Sequence, residues 1–213
     1  MHFLQIDYIV AVAAIVSVLM CGMTRAQSLL WGLWLQNMCL ALAAGTLAWA
    51  HGSSHTVLLT GALLLKTFGI PSLLAWSTNK LAIPRDPGYF LPASLSLFAG
   101  FGLLIACLLI SPELAVPGQE LPLAAGVSLA LLVIGMLLMT TKRLAVNQVI
   151  AFLTLENGIL LFGMTQSKGM PILVEMGVVF EVLVGVMIAG LVISKLNRSF
   201  EHIDVTRMRE LRH

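Results

Sequence analysis

Seven long apolar stretches alternate with short polar breaks along the chain. Their approximate bounds are residues 4–24, 27–50, 56–78, 90–111, 121–140, 145–166 and 171–196. A helix needs about 20 apolar residues to cross a bilayer, and each stretch is of that order. The stretches are continuous rather than alternating, which excludes a transmembrane β-barrel. The pattern therefore predicts an all-α, polytopic membrane protein with seven transmembrane helices, a seven-helix domain over residues 1–196 and a tail over residues 197–213.

The basic residues lie almost entirely in one set of the polar breaks. Of the 12 Lys and Arg residues, ten lie at the end of, or after, the first, third, fifth and seventh stretches, whereas Lys168 stands alone in the other set and Lys66 lies in the middle of a stretch. Cytoplasmic loops of membrane proteins carry the excess of Lys and Arg. This asymmetry predicts that the N-terminus is outside and that the basic tail, residues 197–213, is cytoplasmic.

The composition restricts the class of protein further. Of the 213 residues, 59% are hydrophobic and 10% are charged, whereas a soluble domain is about 25% charged. A water-soluble enzyme is therefore excluded, and the lipid bilayer is the expected surroundings. Cys21, Cys39 and Cys107 lie inside apolar stretches without the spacing of metal ligands, so we interpret them as packing residues. We expect no cofactor or metal in this chain and no nucleic-acid partner.

Three charged residues lie in the middle of predicted helices: Lys66, Glu156 and Glu181. With a rise of about 1.5 Å per residue, each of them lies roughly 15–20 Å from the membrane surface at a neighbouring polar break. All three therefore fall in one layer near the membrane midplane. A charge there costs about 2.5–3.5 kcal/mol, so each needs a partner or water. We interpret Glu156 and Glu181 as proton-transfer groups. Helix-joining polar contacts and sodium binding are the alternatives.

Two further residues are candidates for the same proton-transfer site. Lys66 precedes Pro71 by five residues, at a point where the proline is expected to kink the helix. This lysine is either a relay group or the counter-ion of a glutamate. Glu175 is six residues before Glu181 and is either an exit group for protons or a carboxylate at the membrane surface.

The first and last groups of three predicted helices form a weak parallel repeat. Gln36-Asn37 aligns with Glu156-Asn157 at an offset of 120 residues, and at an offset of 115 Lys66 aligns with Glu181. Parallel repeats are common in membrane transport proteins. Because Gln36 cannot titrate, the first half of such a repeat is expected to be structural.

Short motifs carry a resemblance to known families. Residues 140–196 resemble the small NuoK/MrpC subunits of complex I and cation antiporters, through Lys142-Arg143, Leu155-Glu156-Asn157 and Val179-Phe180-Glu181-Val182. Nearly the whole chain resembles the hydrogenase-4 component E family. That likeness adds Lys66 in its proline-containing helix and Leu173-Val174-Glu175-Met176-Gly177.

The resemblance implies a non-catalytic subunit of a proton-translocating redox complex, of the group 4 membrane-bound hydrogenase or formate hydrogenlyase type. It implies antiporter-like and other membrane subunits as direct partners and a nickel–iron hydrogenase arm as an indirect one. The location implied is the cytoplasmic (inner) membrane of a bacterium or archaeon. A cation/proton antiporter subunit, a stand-alone secondary transporter and a structural anchor are the alternatives. The redox reaction and the coupling ion, H⁺ or Na⁺, stay open.

Overall fold

The computed structural model describes residues 2–51, 61, 64, 66–69, 71–72, 74–75, 91–114 and 122–166. Most of this part of the chain is helical. The helices are α1 (His2–Gly22), α2 (Ala26–His51), α3 (Ala93–Leu114), α4 (Pro122–Thr141) and α5 (Ala145–Gln166). Their bounds agree within a few residues with the corresponding apolar stretches, because each helix begins and ends near a polar break.

The third apolar stretch is described at fewer positions. Residues 61, 64, 66–69, 71–72 and 74–75, here called the Lys66 segment, are all helical, on both sides of Pro71. A kink at that proline stays a prediction. The seventh stretch, residues 171–196, and the tail, residues 197–213, lie outside the described residues.

Four of the helices are long and apolar enough to cross a membrane. The apolar portions of these four helices are Ala26–Thr46, Ala93–Glu113, Leu123–Thr141 and Ala145–Met164. The apolar part of α1, Ile6–Gly22, is shorter. Large apolar side chains cover much of the outer surface, including Tyr8, Trp31, Phe98 and Leu109, which are each at least 70% exposed. Such a surface is expected where lipid replaces water. The chain is thus a helical, multi-pass membrane protein, while the count of seven spans and the orientation stay predictions.

The described helices form two hairpins and a further helix. α1 packs against α2, and α4 packs against α5, while α3 packs against α1 and α4. The hairpins lie side by side, since α1 also contacts α4 and α2 also contacts α5. In the predicted repeat, α1 is equivalent to α4, and α2 is equivalent to α5.

α4 and α5 approach each other at two glycines. A Cβ atom on Gly135 would lie 2.6 Å from the backbone nitrogen of Leu155, and one on Gly158 would lie 2.7 Å from the backbone of Leu132 and Ser128. Small residues allow this close approach, and van der Waals packing is a main force between helices in a membrane. The two contacts set the position of the part of α5 that carries Glu156.

Lys142 joins the two hairpins at the end of α1. Its side chain is buried, and its Nζ donates hydrogen bonds to the carbonyl oxygens of Cys21 (3.3 Å) and Met23 (2.7 Å). The last carbonyls of a helix have no partner within the helix, and a cation there also interacts favourably with the helix dipole. Sequence reasoning used Lys142 as a marker of orientation and as part of a family motif, and it missed this contact.

We predict that Gly135→Ala and Gly158→Ala each lower the free energy of unfolding in mixed detergent micelles by about 1–3 kcal/mol, because the added methyl group meets backbone atoms. Gly102→Ala is the matched control, since a Cβ there meets nothing within 4 Å. Equal stability of all three variants would contradict the close α4–α5 contact.

We predict that Lys142→Met lowers the free energy of unfolding by about 1.5–3 kcal/mol, because charge-assisted hydrogen bonds to the end of α1 are lost. Arg143→Met removes the same charge from a neighbouring exposed side chain and is expected to have a smaller effect. The same chemical denaturation measurement serves both variants. If Arg143→Met lowers the free energy of unfolding as much as Lys142→Met does, the stabilising contact of Lys142 with the end of α1 is contradicted.

Candidate functional site

Five polar side chains meet in the interior of the helix bundle. They are Gln36 and Asn37 of α2, Lys66, and Glu156 and Asn157 of α5, here called the polar cluster, and none is more than 3% exposed. Gln36 lies near the middle of the apolar portion Ala26–Thr46, and Glu156 near the middle of Ala145–Met164. The cluster is therefore far from both ends of the helices that carry it.

Lys66 and Glu156 form an ion pair. The Lys66 Nζ lies 3.3 Å from Glu156 Oε2, and the two side chains are 1% and 4% exposed. Either charge alone would be costly to bury, and their attraction offsets part of that cost. The structure thus brings together two of the residues that sequence reasoning placed at one depth.

The amide side chains of α2 and α5 are joined by hydrogen bonds. Asn157 Nδ2 donates to Gln36 Oε1 (3.0 Å) and to Asn37 Oδ1 (2.7 Å). The sequence aligns Gln36-Asn37 with Glu156-Asn157 at an offset of 120 residues. One pair of equivalent positions, Asn37 and Asn157, is therefore in direct contact across the α2–α5 interface, which alignment alone could not show.

The geometry of α5 explains which neighbour each residue contacts. Leu155 and Gly158 pack against α4, and residues three apart share one face of a helix. Asn157 lies between them in sequence but projects from another side of the helix, where it contacts α2. Successive residues are about 100° apart around the axis because a helix has about 3.6 residues per turn. One short stretch of α5 therefore serves both interfaces.

Several polar atoms of the cluster have no hydrogen-bond partner within the described part of the chain. These atoms are Gln36 Nε2, Asn37 Nδ2, Asn157 Oδ1 and both carboxylate oxygens of Glu156, of which Oε2 has the ion pair with Lys66. A buried donor or acceptor without a partner costs about 1–3 kcal/mol. Buried hydroxyls in α4 and α5, by contrast, do have hydrogen-bond partners. The Ser128 hydroxyl donates to the carbonyl oxygen of Ala125, and that of Thr154 donates to the carbonyl oxygen of Ile150.

The remaining candidates are placed as follows. Glu181 and Glu175 lie outside the described residues, so their proposed part in the site stays a prediction. Cys21, Cys39 and Cys107 are buried free thiols. Within the described ranges, no three His, Cys, Asp or Glu side chains are grouped so that they could hold a metal ion.

The polar cluster can hold or move a proton at a defined atom. One carboxylate oxygen of Glu156, Oε2, is ion-paired with the Lys66 ammonium, and the other, Oε1, has no protein partner among the described residues. Neutralising either member of the pair changes the attraction that holds the other. Intramembrane ionisable residues paired in this way are typical of proton relays and substrate pathways.

The chain is similar to several known proteins. It is 31% identical over 153 residues to the uncharacterized protein Rv0085 of Mycobacterium tuberculosis, which covers 70% of this chain and 69% of that protein. It is 25% identical over 203 residues to hydrogenase-4 component E of Escherichia coli strain K12, covering 91% of this chain and 87% of that protein. Hydrogenase-4 component E of Shigella flexneri matches to the same extent. No family model matches the chain, and no solved structure does.

We predict that Lys66→Met lowers the free energy of unfolding by about 3–5 kcal/mol, because it leaves the Glu156 carboxylate buried without its cation. The double variant Lys66→Met/Glu156→Leu is expected to recover most of this loss, since an apolar pair needs no charge compensation. A double-mutant cycle measured by denaturation in micelles tests this. Additive losses in the double variant would mean that the two charges are not coupled.

Proposed function

The chain belongs to the same family as the uncharacterized protein Rv0085 of Mycobacterium tuberculosis, and we propose that it is an integral-membrane subunit of a proton-translocating redox complex. The complex is of the group 4 membrane-bound hydrogenase or formate hydrogenlyase type. The distant similarity to hydrogenase-4 component E supports this type of complex, because it extends over 91% of the chain. In this proposal the redox centres belong to other subunits, and antiporter-like membrane subunits are the direct partners.

The buried ion pair of Lys66 and Glu156 is the observation that carries the proposal. The pair lies inside a bundle of apolar helices, with both side chains at most 4% exposed. Two helices can be joined by neutral amides at a lower desolvation cost, as Asn157 joins α5 to α2. A lysine and a carboxylate offer what amides do not, which is a proton that can be taken up and released.

The proposed mechanism begins with proton uptake at Glu156. Protonation removes the negative charge that holds the Lys66 ammonium, whose Nζ lies 3.3 Å away. The lysine is then left as an uncompensated buried charge, which favours release of its own proton. We place Glu181 and then Glu175 after this pair in the path. Redox chemistry in the partner subunits supplies the free energy that drives the steps in one direction.

We predict that Glu156→Gln reduces proton translocation per turnover of the complex by at least roughly tenfold, because the amide cannot accept a proton in a relay. Proton uptake is measured in inside-out membrane vesicles with a pH-sensitive dye, and redox turnover is measured in parallel. Glu113→Gln is the matched control, since it makes the same substitution at an exposed carboxylate at the end of α3 and is expected to pump normally.

The same vesicles separate the alternatives. Normal proton translocation by an assembled Glu156→Gln complex would contradict the relay and leave the ion pair a structural contact. Sodium uptake without proton uptake in the wild type would make Na⁺ the coupling ion. Purification in mild detergent distinguishes a complex subunit, which brings hydrogenase or antiporter-like chains with it, from a stand-alone transporter, which does not.

A further inference from the structure

The unpartnered atoms of the polar cluster form a matched set. Apart from Glu156 Oε2, which faces the Lys66 ammonium, two of them are donors, Gln36 Nε2 and Asn37 Nδ2, and two are acceptors, Glu156 Oε1 and Asn157 Oδ1. All four residues are at least 97% buried. Three of them are joined directly, because Asn157 donates to both Gln36 and Asn37, and Glu156 is the neighbour of Asn157 in α5. The three amide positions are therefore concentrated at the α2–α5 interface, and the Glu156 carboxylate belongs to the residue next to Asn157 in sequence.

We propose that a buried water molecule binds at the α2–α5 interface and links the Glu156 carboxylate to the amides of α2. This water accepts hydrogen bonds from Gln36 Nε2 and Asn37 Nδ2 and donates to Asn157 Oδ1 and Glu156 Oε1. Buried waters usually make two to four hydrogen bonds to polar groups that lack other partners, and water provides two donors and two acceptors.

The chemistry of the set selects water over an ion. A sodium ion would be coordinated by the two oxygens but repelled by the two amide N–H groups, and it would also meet the positive charge of Lys66 near Glu156. An anion would be bound by the amide donors but repelled by Glu156. Water satisfies donors and acceptors together, so it is the ligand that fits all four atoms.

By binding this water, α2 in the first half of the chain contributes to the site. Gln36 and Asn37 cannot exchange protons, but they bind the water that contacts the Glu156 carboxylate. The carboxylate then has the Lys66 ammonium at Oε2 and a water at Oε1, and the water is the next proton carrier. The role of the water in proton movement rests on the proposed function, whereas its binding does not.

Infrared difference spectroscopy of the full chain in lipid nanodiscs tests the water site. A pH jump is applied in ordinary water and in water labelled with oxygen-18. We expect an O–H stretching band of a structured water that shifts with the isotope, disappears in Asn37→Leu and Gln36→Met, and persists in Ser128→Ala. Ser128 is the matched control because its buried hydroxyl already donates within α4. An isotope-sensitive band that persists in Asn37→Leu and Gln36→Met would overturn the proposal.

A density map of the wild-type chain decides the question without variants, in case they do not fold. The expected result is a water peak within about 3.2 Å of at least three of the four atoms. Amides that hydrogen-bond directly to Glu156 with no peak between them would overturn the proposal. A water peak together with normal pumping by Glu156→Gln would reject the proposed function alone, and a dry interface with lost pumping would reject the water site alone.

Discussion

The buried ion pair of Lys66 and Glu156 is the constraint on which the rest of the structure depends. Neither charge can stay inside an apolar bundle without the other, so the Lys66 segment and α5 must be held in register. The surrounding packing serves that requirement. Gly135 and Gly158 let α4 and α5 approach each other beside Glu156, and the amides of α2 bind Asn157 one residue further along.

The pairing of the two hairpins gives the site its composition. α1 lies on α4 and α2 on α5, so helices that are equivalent in the predicted repeat contact each other, and the equivalent residues Asn37 and Asn157 are hydrogen-bonded. One copy carries a glutamate and an asparagine, whereas the other carries a glutamine and an asparagine. Within the described part of the chain, the α2–α5 pairing therefore brings one carboxylate together with amides rather than two carboxylates, which would repel each other. Lys142 holds the same hairpins together at the end of α1.

The helix bounds and the shared depth of Lys66 and Glu156 could be predicted from the sequence, because both depend on distance along a helix axis. The length of each apolar stretch determines the helix bounds, and the rise per residue determines the depth of Lys66 and Glu156. The contacts of Asn157 and Lys142 could not be predicted. They depend on which side of each helix faces which neighbour, and helices that are apolar on all sides carry no pattern that specifies this. Only the aligned pair Gln36-Asn37 contained a signal, which sequence reasoning interpreted as structural.

The central claim is that Glu156 exchanges a proton during turnover rather than remaining a permanent ion of a structural pair. Infrared difference spectroscopy of the assembled complex under turnover tests this most directly. The expected result is a carboxylic acid C=O band that rises and decays with turnover and is absent in Glu156→Gln. A Glu156 that stays ionised throughout turnover, with an unchanged spectrum in the Glu156→Gln variant, would contradict it.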